Sequence, residues 1–233
     1  MTTKAWLEGD PLDLQYLARL LPVGDVQVRQ DGDRFCLAAT ELDSPPSGEQ
    51  FHEVAERLTT WANGAARCEN PAFMPVSLTG SYERDGGVTV VLATATLLAR
   101  ASMSATAQVT GPDGKPKPAT PPAGPRYLTL AARDGDVAEV LKIMASAAGV
   151  NFVELYKVYE IIRHAGGLDA AMQAVGISKS TVSRFTRTAN HQAASGEIAR
   201  HARSSEVPPA NPMPVEEARG LIGRLVGAWA GTL

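Results

Sequence analysis

The sequence predicts an α+β protein in two unlike halves: an antiparallel sheet carrying two helices, followed by an all-helical bundle. Three observations carry that reading. Residues 1–110 alternate between strand-like and helix-like hydrophobic periods. Residues 126–233 keep the helical period almost throughout. Between them "GPDGKPKPATPPAG", residues 111–124, holds five prolines and three glycines in fourteen positions. Such a run supports neither a helix nor an interior strand, and residues 111–125 read as an exposed linker or long loop.

The elements follow in order. "DPLDLQYLARLL" opens with Asp10 as a helix cap and Pro11 at the first helical position, and Tyr16, Leu17, Leu20 and Leu21 then recur at helical spacing. "VQVRQDGDRFCLAA" reads as a hairpin, with Val26 and Val28 alternating against polar residues and "DGD" as the turn. "SGEQFHEVAERLTTWANGA" predicts a second helix, capped by Ser47 with Gln50 and striped by Phe51, Val54, Leu58 and Trp61. "VSLTGSYER", the turn "DGG" and "VTVVLATATLLARASMSATAQV" supply further strands, the last with one wetter face. In the second half, Val137, Val140, Leu141 and Met144 mark one helix. Phe152, Leu155, Tyr156, Tyr159 and Ile162 mark a central one, with Val158 and Ile161 as a second apolar edge. "LDAAMQAVG" and "SKSTVSRFTRTANH" follow as shorter helices. The last helix starts near Pro214 and presents Val215, Ala218, Ile222, Leu225 and Trp229 to a core. Gly223, Gly227 and Gly231 lie four apart on another of its faces, where close approach of a neighbouring helix accounts for them.

Charge divides the halves. Residues 1–110 carry 8 basic and 14 acidic side chains, and residues 126–233 carry 12 and 10. The chain as a whole, at net −3, is no general polyanion binder, but the second half can hold a local site. Two cysteines, Cys36 and Cys68, are too few for a disulfide framework or a zinc site, so no metal or cofactor is expected. The opening "MTTKAWLEGDPLD" lacks the apolar core of an export signal, and the most apolar run carries Arg100, Thr and Ser. No membrane association and a cytoplasmic location are expected.

The functional signal is concentrated in "SRFTRTANHQAASGEIARHARSS", residues 183–205, with four arginines, two histidines and one acid. Arginine's planar fork matches phosphate, and histidine exchanges protons near neutral pH. Helical numbering puts Arg184, Arg187 and His191 three and four apart. Arg184 and His191 are the candidate catalytic pair for RNA cleavage. Lys179, Arg187, Asn190, Arg200, His201 and Arg203 are the candidate nucleic-acid contacts. A plainer reading has the arginines capping helix ends and pairing with Glu154, Glu160 or Glu197. His52 and His164 read as structural.

Two resemblances bear on the partner. "MQAVGISKSTVSRF", with Gly176 at a turn, Ile177 after it, Ser178 as cap and Val182 inside the next helix, resembles the helix-turn-helix of repressors. Lys179, Arg184 and Arg187 would be its basic residues. Residues 127–233 as a whole resemble the HEPN superfamily of helical domains, many of them ribonucleases in defence and toxin systems. The likeness lies in the order of long helices, an Arg-plus-His segment, a proline-containing loop and a closing amphipathic helix. It implies a metal-independent RNA endonuclease or RNA-binding module, with six residues between Arg184 and His191 and Phe185 where the family has a polar residue. A DNA-binding regulator with an N-terminal sensing domain is one alternative, and a non-enzymatic module for an acidic protein partner is another. A homodimer, or an acidic N-terminal half covering the basic segment, fits either.

Overall fold

The computed structural model describes residues 3–84, 88–91, 121–191 and 209–233. It is α+β. Its contacts divide it into two compact units, residues 1–56 with 76–125, and residues 57–75 with 126–233.

The first unit is built on a five-stranded antiparallel sheet in the order β2-β3-β1-β4-β5. The strands are β1 (Lys4–Glu8), β2 (Val26–Asp31), β3 (Arg34–Ala39), β4 (Ser77–Arg84) and β5 (Val88–Val91). The β2–β3 hairpin closes at Asp31↔Arg34, and Gly32, with φ of 63°, is the first of its two turn residues. That φ is what a type II′ turn needs there and what glycine adopts without strain. Across the sheet Val28, Leu37, Ala5 and Tyr82 stand opposite one another and are all buried, which defines the core face. On the opposite face Lys4 Nζ binds Asp31 at 2.8 Å and Glu83 at 3.3 Å, and the Arg34 guanidinium lies 3.7 Å from the Trp6 ring centre. Helix α1 (Pro11–Leu20) is capped as its sequence predicts, with Asp10 Oδ1 accepting the Leu12 N–H at 2.8 Å. Its Leu14, Leu17 and Leu20 are buried. A single-turn helix, α2 (Thr40–Asp43), follows β3.

Helix α3 (Phe51–Glu69) begins later than the Ser47–Gln50 cap implies. The cap that forms is its reciprocal half: Glu53 Oε2 accepts the Gln50 N–H at 2.8 Å. The remaining turns of α3 group with the helical unit. The sequence division at residue 110 leaves them with the sheet, but a Cβ on Gly64 would stand 2.1 Å from the Leu141 carbonyl oxygen, so the two backbones touch. Arg67 is buried on the same helix and donates from Nε to the Phe73 carbonyl at 3.2 Å and from Nη1 to that of Met144 at 3.0 Å. Burial pushes the neighbouring Cys68 thiol far above its ordinary pKa.

The helical unit continues through α4 (Gly124–Ala131), α5 (Gly135–Met144), α6 (Phe152–His164), α7 (Leu168–Ala174), α8 (Lys179–Asn190) and α9 (Val215–Ala230). Helix α4 starts within the proline-rich run, whose residues 111–120 lie outside the described residues. The long strand pattern beyond Val91 lies outside them too. Helix α6 is central, as its two apolar edges require: α5, α8 and α9 all pack on it. Its start is a full capping box, Asn151 Oδ1 accepting from Val153 N at 2.8 Å and Glu154 Oε2 from Asn151 N at 3.0 Å. Of the three spaced glycines of α9, Gly223 makes the tightest interhelical approach, since a Cβ there would lie 2.4 Å from the Cys68 carbonyl oxygen. At Gly227 the nearest atom is the Tyr127 hydroxyl at 3.1 Å, and at Gly231 it is the helix's own Ala228 carbonyl.

Candidate nucleic-acid interface

The basic helix α8 is held by the turn that precedes it. Helix α7 ends at Ala174, and Gly176 takes the left-handed conformation with φ of 64°. The Ile177 N–H then reaches back to the Met172 carbonyl at 2.9 Å, and the Gly176 N–H to that of Gln173 at 3.3 Å. This is the Schellman arrangement, which satisfies carbonyls that the helix end leaves open. Ser178 caps the next helix, its Oγ accepting the Thr181 N–H at 3.1 Å. Ala171, Met172, Ile177, Val182 and Phe185 are buried beneath the pair of helices. The Phe185 ring lies 6.0–6.5 Å from those of Phe152, Tyr156 and Tyr159 of α6. Helix, glycine turn, cap and helix thus form as one locally determined unit on an aromatic seat.

At 3.6 residues per turn, the buried Val182, Phe185, Thr188 and Ala189 occupy one side of α8. Lys179, Ser180, Ser183 and Arg187 are exposed and fall within an arc of about 100° on the other. Asn190 continues that stripe half-buried, and its Oδ1 is enclosed with no hydrogen-bond partner among the described residues.

Arg184 has a different position from Arg187. Its Nε donates to the Asn211 carbonyl at 2.9 Å, Nη2 to the Pro212 carbonyl at 3.1 Å, and Nη1 to Glu217 Oε1 at 2.7 Å. One guanidinium therefore fastens α8 to the segment ahead of α9 and to the first turn of α9. Beside it Thr188, fully buried, donates its hydroxyl to the Arg184 carbonyl at 2.8 Å and accepts the Met213 N–H at 3.0 Å. His191 is 9% exposed at the C-cap of α8, where its backbone N–H donates to the Thr188 carbonyl at 3.2 Å. The three residues that helical numbering groups together separate accordingly: Arg187 faces solvent, while Arg184 is clamped and His191 is enclosed. Among the described residues the acid that Arg184 meets is Glu217 rather than Glu154 or Glu160; Glu197 lies outside the described residues. Helical numbering also sets Thr188 four residues from Arg184, but its contact with Met213 has no sequence signal, because the two lie 25 residues apart. Arg200, His201 and Arg203 lie outside the described residues.

His52 stands edge-on to the Phe51 ring at 5.8 Å between centres, and His164 is exposed at the end of α6. Among the described residues no group of three His, Cys, Asp or Glu is placed to hold a metal ion. Among them, too, no helix is long and apolar enough to cross a membrane. Compared with protein-family models, with curated proteins and with solved structures, the chain has no match.

Proposed function

We propose that the helical unit binds double-stranded DNA as a helix-turn-helix, with α8 entering the major groove. The observation that supports this most is the α7–turn–α8 unit. Its apolar side is fully used in packing, and Lys179, Ser180, Ser183 and Arg187 are left outward on the second helix. Serines and a lysine near the start of such a helix suit base edges, and Arg187, two turns on, suits the phosphate backbone. The Arg184 clamp then holds the recognition helix at a set position, which contributes to specificity by preorganisation. Two copies would read an inverted repeat with half-sites one helical turn apart. The acidic N-terminal half serves as a sensing or covering domain, and the protein acts in the cytoplasm.

Fluorescence anisotropy with labelled duplex DNA tests the reading. Affinity falls with salt at a log–log slope of about −0.9 per phosphate contacted, and Arg187→Ala reduces that slope by close to one contact. A HEPN-like reading, RNA binding with cleavage by Arg184 and His191, rests on the composition of residues 183–205 and is separated by the same titration. Preference for single-stranded RNA together with RNA cleavage lost in His191→Ala favours it over DNA binding. Absence of binding to either nucleic acid favours the protein-interaction alternative.

A further inference from the structure

We infer that Arg163, at the end of α6, contacts a DNA phosphate beside the groove that α8 enters. The inference rests on the DNA-binding reading and adds to it a phosphate contact outside the α7–turn–α8 unit. Its placement follows from helix geometry. Phe152, Tyr156 and Tyr159 meet the Phe185 ring, so they mark the side of α6 on which α8 lies. At about 100° per residue, Arg163, one turn beyond Tyr159, falls within about 20° of the direction those three share. On α8 the exposed stripe of Lys179, Ser180, Ser183 and Arg187 is turned about 180° from Phe185, and so away from α6. Arg163, itself exposed, therefore faces the same way as that stripe, one helix layer below it. A major groove roughly 12 Å wide is filled by one helix, so a phosphate strand descends on each side of α8. Arg163 stands under one of them.

The helix that carries Arg163 does not need its side chain. Gly166 takes φ of 75°, its N–H donates to the Arg163 carbonyl at 3.1 Å, and the Gly167 N–H donates to that of Ile162 at 3.1 Å. The Ala165 N–H donates to the Ile161 carbonyl at 2.9 Å. Main-chain donors thus close the end of α6 in a Schellman arrangement. The Arg163 guanidinium makes no hydrogen bond or ion pair among the described residues, whereas that of Arg184 is taken by Asn211, Pro212 and Glu217. Glu160 and Asp136 border the same open groove as Arg163 and His164. Glu160 is turned about 75° from the α8 side of α6, and Asp136 belongs to α5. The acids therefore bound Arg163 on one flank and leave the flank toward α8 to phosphate, whose oxygens the arginine fork fits.

The test is the salt dependence of binding by the full chain to a labelled duplex of mixed sequence. Arg163→Ala lowers the log–log slope by about 0.9, so its deficit against the wild type narrows about 3.5-fold between about 50 and 200 mM salt. Arg163→Lys keeps the wild-type slope, since one charge still displaces one counterion. Arg163→Ala combined with Arg187→Ala lowers the slope about twice as far, as two separate contacts require. Lys157→Ala removes an exposed cation about 130° round α6 from the α8 side and leaves the slope unchanged. Thermal melts establish that each variant is folded, and Arg163→Gln carries the test should the alanine variant be unstable. A wild-type slope in Arg163→Ala, or an equal loss in Lys157→Ala, overturns the inference and leaves the DNA-binding reading standing. Salt-insensitive binding by the wild type, or none, overturns that reading and this contact with it.

Discussion

Replacing Arg184 by Ala separates a structural arginine from a catalytic one. The substitution removes two hydrogen bonds to main-chain carbonyls, those of Asn211 and Pro212, and the pair with Glu217. The arginine side chain is 29% exposed and that of Glu217 is 46% exposed. The ion pair is therefore solvent-screened and contributes about 0–1 kcal/mol. The two carbonyl bonds contribute roughly 0.5–1.5 kcal/mol each, since water replaces them only in part. The loss comes to about 1–4 kcal/mol. At about 3–5 °C per kcal/mol for a domain of this size, the unfolding midpoint falls by roughly 3–20 °C. Circular dichroism in the far ultraviolet follows the transition. Arg184→Lys keeps the charge but not the fork, and should recover only the Glu217 contribution. An unchanged midpoint in Arg184→Ala, with function lost, refutes the clamp and returns Arg184 to the role of a reacting group.

Other variants probe the frame that holds α8. Thr188→Val keeps the shape but leaves the Met213 N–H without its acceptor, which costs about 1–3 kcal/mol in chemical denaturation; a neutral effect contradicts the described contact. Gly223→Ala sets a methyl group against the Cys68 carbonyl and destabilises by about 1–3 kcal/mol. An unaltered melt would place that face of α9 in solvent. In the sheet, the hydrogen bond and charge of Lys4 hold the Asp31 carboxyl below its ordinary value. The pair's small contribution is complete above about pH 4, the unfolded value, and is lost as pH falls through the lower folded value. An NMR titration of Asp31 should give a midpoint below that of Asp31 in Lys4→Met, and equal midpoints dispose of the pair.

Local chemistry was legible in the sequence, and long-range partnership was not. The turn at Gly176, the cap at Ser178, the Asp10–Pro11 helix start and the glycine of the β2–β3 hairpin are all decided by neighbours within a few residues. Each could be read directly. Strand β1 escaped because Ala5, Trp6 and Leu7 are buried in succession, so its five residues show no alternation. The grouping of residues 57–75 with the helical unit depends on Gly64 meeting the Leu141 backbone, a contact invisible to periodicity. The same holds for the basic segment. Its composition announced a site, but what Arg184 does is decided by residues 27–33 positions downstream, where Asn211, Pro212 and Glu217 take its guanidinium.

Selection from a random duplex library by the full chain, with the enriched sequences read out, addresses DNA recognition by α8 most directly. The account predicts a defined motif, arranged as two half-sites about 10 base pairs apart if the protein binds as a dimer. It further predicts that Lys179→Ala or Ser183→Ala relaxes the preference at particular base pairs, while Arg187→Ala weakens all sequences alike. Failure to enrich any motif, or a motif unaltered by changes at Lys179 and Ser183, would contradict it.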